Sequence, residues 1–119
     1  MKRTELFKWV KENYGTEPEY LWSKNPDSAV LRNKNNKWYA AVLNVQKKKI
    51  GIDEAGSADV LNVKCDEMMI GSLLMQNGIL PAYHMNKNHW ISVLLDGSVN
   101  EEEIKSLIEM SYQLTGSKK

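Results

Sequence analysis

With a single cysteine, Cys65, the 119-residue chain can form no internal disulfide and no thiol-rich metal site. That thiol closes an expected strand, Val60–Cys65, where a lone cysteine acts as a small buried hydrophobe. Long apolar runs are missing too. None approaches the roughly 18 residues of a membrane span. Met1-Lys2-Arg3 leads into a polar amphipathic segment, not the apolar stretch of about 7–15 residues that a signal peptide needs. A cytoplasmic protein without membrane contact is expected. Neither phosphate-cradling glycine pattern occurs, Gly-x-x-x-x-Gly-Lys or Gly-x-Gly-x-x-Gly. No serine sits in a Gly-x-Ser-x-Gly elbow. Histidine is scarce: His84 and His89 stand alone, with no Cys or carboxylate beside them in sequence, so no metal ion is expected. No set of acid, base and nucleophile emerges, and the expectation is a protein with no catalytic residues, no cofactor and no enzymatic activity. A small-ligand site built on His84, Lys87 and His89 would require a deep pocket lined by all three.

What is present fits one folded domain spanning residues 1–119. Apolar residues make up 42% and charged residues 26%, too apolar for disorder. A chain of this length buries roughly two-thirds of its unfolded surface, enough for a core without staples. The formal net charge of +1 conceals an asymmetry. Between Lys24 and Lys49, seven basic residues face only Asp27, a local net of +6. From Ile50 onward, five lysines face ten acids, and the first 23 residues balance. Such a dipolar distribution bears on partners more than on fold.

Periodicity sets out the elements. Thr4 to Tyr14 reads as a helix capped by Thr4, with an apolar stripe of Leu6, Phe7, Val10 and Tyr14 and with Gly15 as its stop. A hairpin follows, Ala29–Arg32 and Lys37–Val45, around Asn33-Lys34-Asn35-Asn36. Strict alternation in its second arm puts Trp38, Ala40 and Val42 on one face and Tyr39, Ala41, Leu43 and Val45 on the other. The segment Gln46–Asp59 is loop-like, although Ile50 and Ile52 could extend a strand. After strand Val60–Cys65 comes a helix from Asp66 to about Gln76, with Met69, Ile70, Leu73 and Leu74 inward and Asn77-Gly78 as its end. Ala82–Met85 and His89–Leu95 read as two further strands. Ser98-Val99-Asn100-Glu101 is a capping box for the last helix, whose C-terminal dipole Lys118 and Lys119 would meet. The order α-β-β-β-α-β-β-α, rich in hairpins, predicts an α+β fold in two layers, an antiparallel sheet with helices packed on one face.

Two surfaces stand out. Arg32, Lys34 and Lys37 surround the first hairpin turn beside Trp38 and Tyr39, a mixture that suits a phosphate backbone and its bases. It equally describes a solvated hairpin whose aromatic residues belong to the core. Lys47-Lys48-Lys49 either joins that patch or solubilises a loop. The second surface is the doubly apolar strand Lys37–Val45, which with four tryptophans would serve contact with another protein or a second copy. Trp90 is expected in the core. Trp22 either caps the sheet or marks a contact surface.

The stretch Pro81-Ala82-Tyr83-His84-Met85-Asn86-Lys87-Asn88-His89-Trp90-Ile91-Ser92-Val93, continued by Leu95-Asp96-Gly97-Ser98-Val99, resembles the MmcQ/YjbR family of small bacterial proteins. Its central motif is His84, Met85, Asn86, Lys87, His89 and Trp90. The closing Ser111-Tyr112-Gln113-Leu114 element, Val63-Lys64-Cys65-Asp66 and Gly71-Ser72-Leu73-Leu74 fit in order and spacing. The resemblance implies a two-layer domain with a double-wing-like antiparallel sheet and a DNA-binding role. Lys34, Lys37 and Lys87 would then contact phosphates, while Arg32 does the same or reads a base edge. The motif is either a functional surface or a structural turn, and it supplies no catalytic residue.

Overall fold

Five strands, β1 (Ala29–Arg32), β2 (Trp38–Gln46), β3 (Ser57–Lys64), β4 (Ile79–Pro81) and β5 (Trp90–Leu94), pair antiparallel in the order β1-β2-β3-β5-β4. This is a computed structural model, and it describes residues 1–116. Lys118 and Lys119 lie outside the described residues. Rows of partnered side chains cross the sheet, Ala40, Val63 and Ile91 in one and Val42, Leu61, Val93 and Ile79 in the next. All seven are buried. Against them pack Leu6 and Val10 of α1 (Arg3–Tyr14), Leu73 of the short α2 (Ile70–Leu73), and Ile104, Leu107 and Ile108 of α3 (Glu101–Gly116). Burying each such aliphatic side chain stabilises by about 1.5–3 kcal/mol. The fold is thus α+β in two layers with the expected element order. Cys65 joins this core, where burial and then the charge of Asp66 push its thiol pKa up.

Departures from expectation occur where side chains take over backbone hydrogen bonds. The strand expected at Ala82–Met85 is instead β4, three residues earlier. Past Pro81 the N–H of Tyr83 donates to Ser92 Oγ and its carbonyl accepts from Asn62 Nδ2, both at 2.9 Å. The ladder therefore stops there, and His84 turns into the left-handed region at φ 61°. The helix expected over Asp66–Gln76 is a 3₁₀ turn (Glu67–Met69, capped by the Asp66 carboxylate), then α2, then two i→i−3 bonds closing at Met75 and Gln76. Met69 is 42% exposed, not inward. Gly78 has φ 93°, and a Cβ there would lie 2.7 Å from that of Ser98, so only glycine lets the chain pass. Within the segment expected as loop, Lys47–Ile50 is a 3₁₀ turn, so Ile50 extends no strand, and β3 begins at Ser57, three residues before the expected Val60.

Cap positions shift as well. The N-cap of α1 is Lys2, whose N–H donates to Glu5 at 2.8 Å, and not Thr4. Asn100 caps α3 by accepting from the Glu103 N–H at 2.8 Å. Ser98 is unavailable for that task because it folds back on the Asp96 carboxylate. Gly15 ends α1 in the left-handed conformation, as expected.

Arg3 ties α1 to the sheet through Nε and Nη2, which donate to the two Asp59 carboxylate oxygens at 3.0 and 2.9 Å. Burial raises the Asp59 pKa, but hydrogen bonds from Arg3 and Asn44 and the charge of Arg3 outweigh it and hold the group below its ordinary value. A depressed carboxyl pKa contributes stability that is full above the unfolded value, about 3.9, and lost as pH falls through the folded one. Arg3→Met should cost about 1–2 kcal/mol at neutral pH. It should also flatten the loss of stability below about pH 4, as read by urea unfolding at pH 7 and pH 3.

Candidate functional site

The β1–β2 register decides where the tryptophans go. Leu31 faces Ala40, yet the next residue, Arg32, faces Trp38, so Tyr39 is an extra residue in a β-bulge. A one-residue insertion exchanges the faces of everything beyond it. Tyr39, not Trp38, therefore joins the helix side, where it is wholly buried, donates to Thr16 Oγ1 at 2.8 Å and packs edge-on to Tyr14 and Tyr112. Trp38 goes to the face without helices, which corrects the strict alternation expected from sequence. There it meets Trp22 edge to face, with ring centroids 5.9 Å apart.

These two indoles line a groove of about 280 Å³ on the helix-free face. Tyr83, His84 and Met85 form another part of its wall, Ala41, Leu43, Val45 and Asn62 line it from the sheet, and Asn25 and Ser28 add polar groups. The Tyr83 and His84 rings lie 4.0 Å apart. Two buried polar side chains fix this wall. Ser92 Oγ donates to Asn62 Oδ1 at 2.5 Å while accepting from Tyr83, and Asn62 Nδ2 holds the Tyr83 carbonyl. Val45, which lines the groove, clusters with Val60 and Leu94, and Ile50, Ile52 and Tyr83 pack against the three. Sequence reasoning missed Asn62, Ser92 and Tyr83. The usable signal was a polar residue inside each of the apolar runs Val60–Val63 and Ile91–Leu95. Trp90, expected in the core, is half-buried.

The basic candidates divide into three groups. Arg32 is engaged: Nε donates to Glu19 at 3.1 Å and Nη1 to the Asn36 carbonyl at 3.0 Å, bracing the turn. Lys34 and Lys37 are exposed on a turn that is itself docked, because Asn33 Nδ2 and Asn35 Nδ2 each donate to α3 carbonyls, those of Tyr112 and Thr115, at 2.8 Å. Asn36 takes φ 71°, as an asparagine-rich turn allows. Lys87 is exposed on the β4–β5 loop, where Asn86 accepts from the N–H groups of Asn88, His89 and Trp90. The strand order puts these two loops at the same end of the sheet. Lys47–Lys49 lie at the opposite end, beyond a nine-residue strand and so about 30 Å away. They do not join the hairpin patch. His84, Lys87 and His89 are all exposed, and of the three only His84 lines the groove. Among the described residues, no three His, Cys, Asp or Glu side chains gather as metal ligands.

A two-layer α+β domain with one face of its antiparallel sheet left to loops, and with two loops projecting from one end, is the class these features define. Residues 11–114 match the model of the YjbR family. The chain belongs to that family. YyaQ of Bacillus subtilis is 47% identical over 116 residues, which is 97% of this chain and 98% of that one. YjbR of Escherichia coli K12 is 30% identical over 81 residues, covering 66% of this chain and 69% of its own. A crystal structure of a Pseudomonas syringae protein superposes with a TM-score of 0.94 at 46% identity, covering 97% of this chain and 99% of the other.

Proposed function

We infer that the domain binds nucleic acid through the end of the sheet from which the β1–β2 and β4–β5 loops project. One observation carries this: Lys34 and Lys37 on one loop and Lys87 on the other stand at the same end of a rigid sheet. The loop centres are three strand spacings apart, roughly 14 Å. That separation is comparable to the major groove of a duplex, about 12 Å wide, so each loop meets the phosphates of a different strand. Docking of Asn33 and Asn35 on α3 holds the first loop in place before binding, which lowers the ordering cost. Arg32 positions the turn.

Fluorescence anisotropy of a labelled mixed-sequence duplex is the test. Three phosphate contacts give a salt slope of about −2.7, hence about a fortyfold loss of affinity between 50 and 200 mM salt. The Lys34→Glu, Lys37→Glu, Lys87→Glu triple variant should bind too weakly to measure at 50 mM while unfolding at the wild-type urea midpoint. Each single Lys→Ala change should reduce the slope by about one. Salt-independent binding, or undiminished binding by the triple variant, would refute the reading.

A further inference from the structure

We propose that the groove on the helix-free face is a site for one nucleobase, taken from a free nucleoside or from an unpaired position in a strand. Three independent features converge on this chemistry. The first is shape: about 280 Å³ lies just under the range of about 300–1,000 Å³ typical of ligand pockets, a size that suits a single ring system. The second is the walls. Two aromatic pairs, Trp22 with Trp38 and Tyr83 with His84, line it, and planar rings stack on aromatic surfaces whatever their sequence identity. The third is polarity. Among the described residues, no Asp, Glu, Lys or Arg lines the groove, while the indoles, the Asn25 amide, the Ser28 hydroxyl, the Tyr83 phenol and the His84 imidazole are side chains with hydrogen-bonding groups. A neutral heterocycle with polar edges matches that lining. A phosphate or carboxylate does not.

The backbone adds a further point. His84 is held at φ 61°, a left-handed conformation uncommon outside glycine. The Asn62–Ser92 pair grips both backbone polar groups of Tyr83, the residue just before it. Two buried polar side chains in mid-sheet thus hold the aromatic wall over the groove. Lys37 directly precedes Trp38 in the chain, and Lys24 follows Trp22 by two residues. For the backbone of a strand whose base occupies the groove, these two lysines are the cations nearest in sequence to the indoles. This last point rests on the nucleic-acid reading above, and the groove itself does not.

The test uses uncharged adenosine and uridine, and separately a short single-stranded oligonucleotide, titrated into the ¹⁵N-labelled protein. The indole N–H resonances of Trp22 and Trp38 and the amides of residues 83–85 should shift and saturate. Saturation by nucleosides and strand alike marks a site open to a free base, whereas saturation by the strand alone marks an unpaired base in a polymer. Trp22→Leu should weaken binding about tenfold or more. His84→Gly should also weaken it while leaving the fold intact, because glycine adopts positive φ freely. Absence of any groove shift with millimolar nucleoside and with oligonucleotide would overturn the proposal, as would binding indifferent to both substitutions. Because nucleosides carry no phosphate, failure of the duplex experiment leaves this outcome untouched.

Discussion

Ser111→Ala is expected to lower stability by about 2–4 kcal/mol and the melting temperature by on the order of 10 °C. Ser111 is wholly buried on α3, and its hydroxyl does two jobs. It donates to the Tyr39 carbonyl at 2.5 Å and accepts from the Lys64 N–H at 2.9 Å. The first of these groups belongs to the bulged residue, which the strand ladder leaves without its regular partner. The second lies at the end of β3. Removing the hydroxyl orphans both, and each buried unpaired group costs about 1–3 kcal/mol. Urea unfolding should show a lower midpoint with an unchanged slope, and the Lys64 amide should exchange faster. A loss below about 0.5 kcal/mol, within the range of an ordinary surface substitution, would mean that the bulge is held by packing alone.

Asn62→Leu comes next, with an expected cost of about 2–3 kcal/mol. Leucine nearly fills the volume but offers the Ser92 hydroxyl no acceptor and the Tyr83 carbonyl no donor. Stability falls, and so does the order of the loop from Ala82 to His89, because Tyr83 keeps only its bond to Ser92. Hydrogen exchange at Tyr83 and His84 should accelerate well beyond what the global loss explains. A double-mutant cycle with Ser92→Ala should show coupling of about 1–2 kcal/mol, since the two side chains share one network. Additive effects would show that the loop is positioned by its ring contacts instead.

The element order, the two layers and the sheet were legible because they rest on periodicity, which single residues report well. The short apolar runs in Val60–Cys65 and His89–Leu95 and the stripe Ile104, Leu107 and Ile108 needed no tertiary knowledge. What was illegible depended on one side chain answering another element. Tyr39 leaves the ladder to reach Thr16 and Ser111, residues 23 and 72 positions away, and that departure sends Trp38 to the groove. Likewise the strand expected at Ala82–Met85 dissolves because Asn62 and Ser92, distant in sequence, claim the backbone of Tyr83. The basic hairpin was visible as composition. That its turn is clamped to α3, and that Lys47–Lys49 stand at the far end, follows only from topology.

The margins of the sheet carry one more implication. At one side Glu19 forms an isolated bridge to Val30 and lies over part of β1. At the other, β4 is only three residues long and ends in Pro81, which has no N–H to offer. A foreign strand seeking to lengthen the sheet finds little backbone to pair with on either side. Templated stacking of copies into fibres is thereby discouraged. The surfaces left open are the projecting loops, with Lys34, Lys37 and Lys87, and the helix-free face, with Trp22, Trp38 and Tyr83.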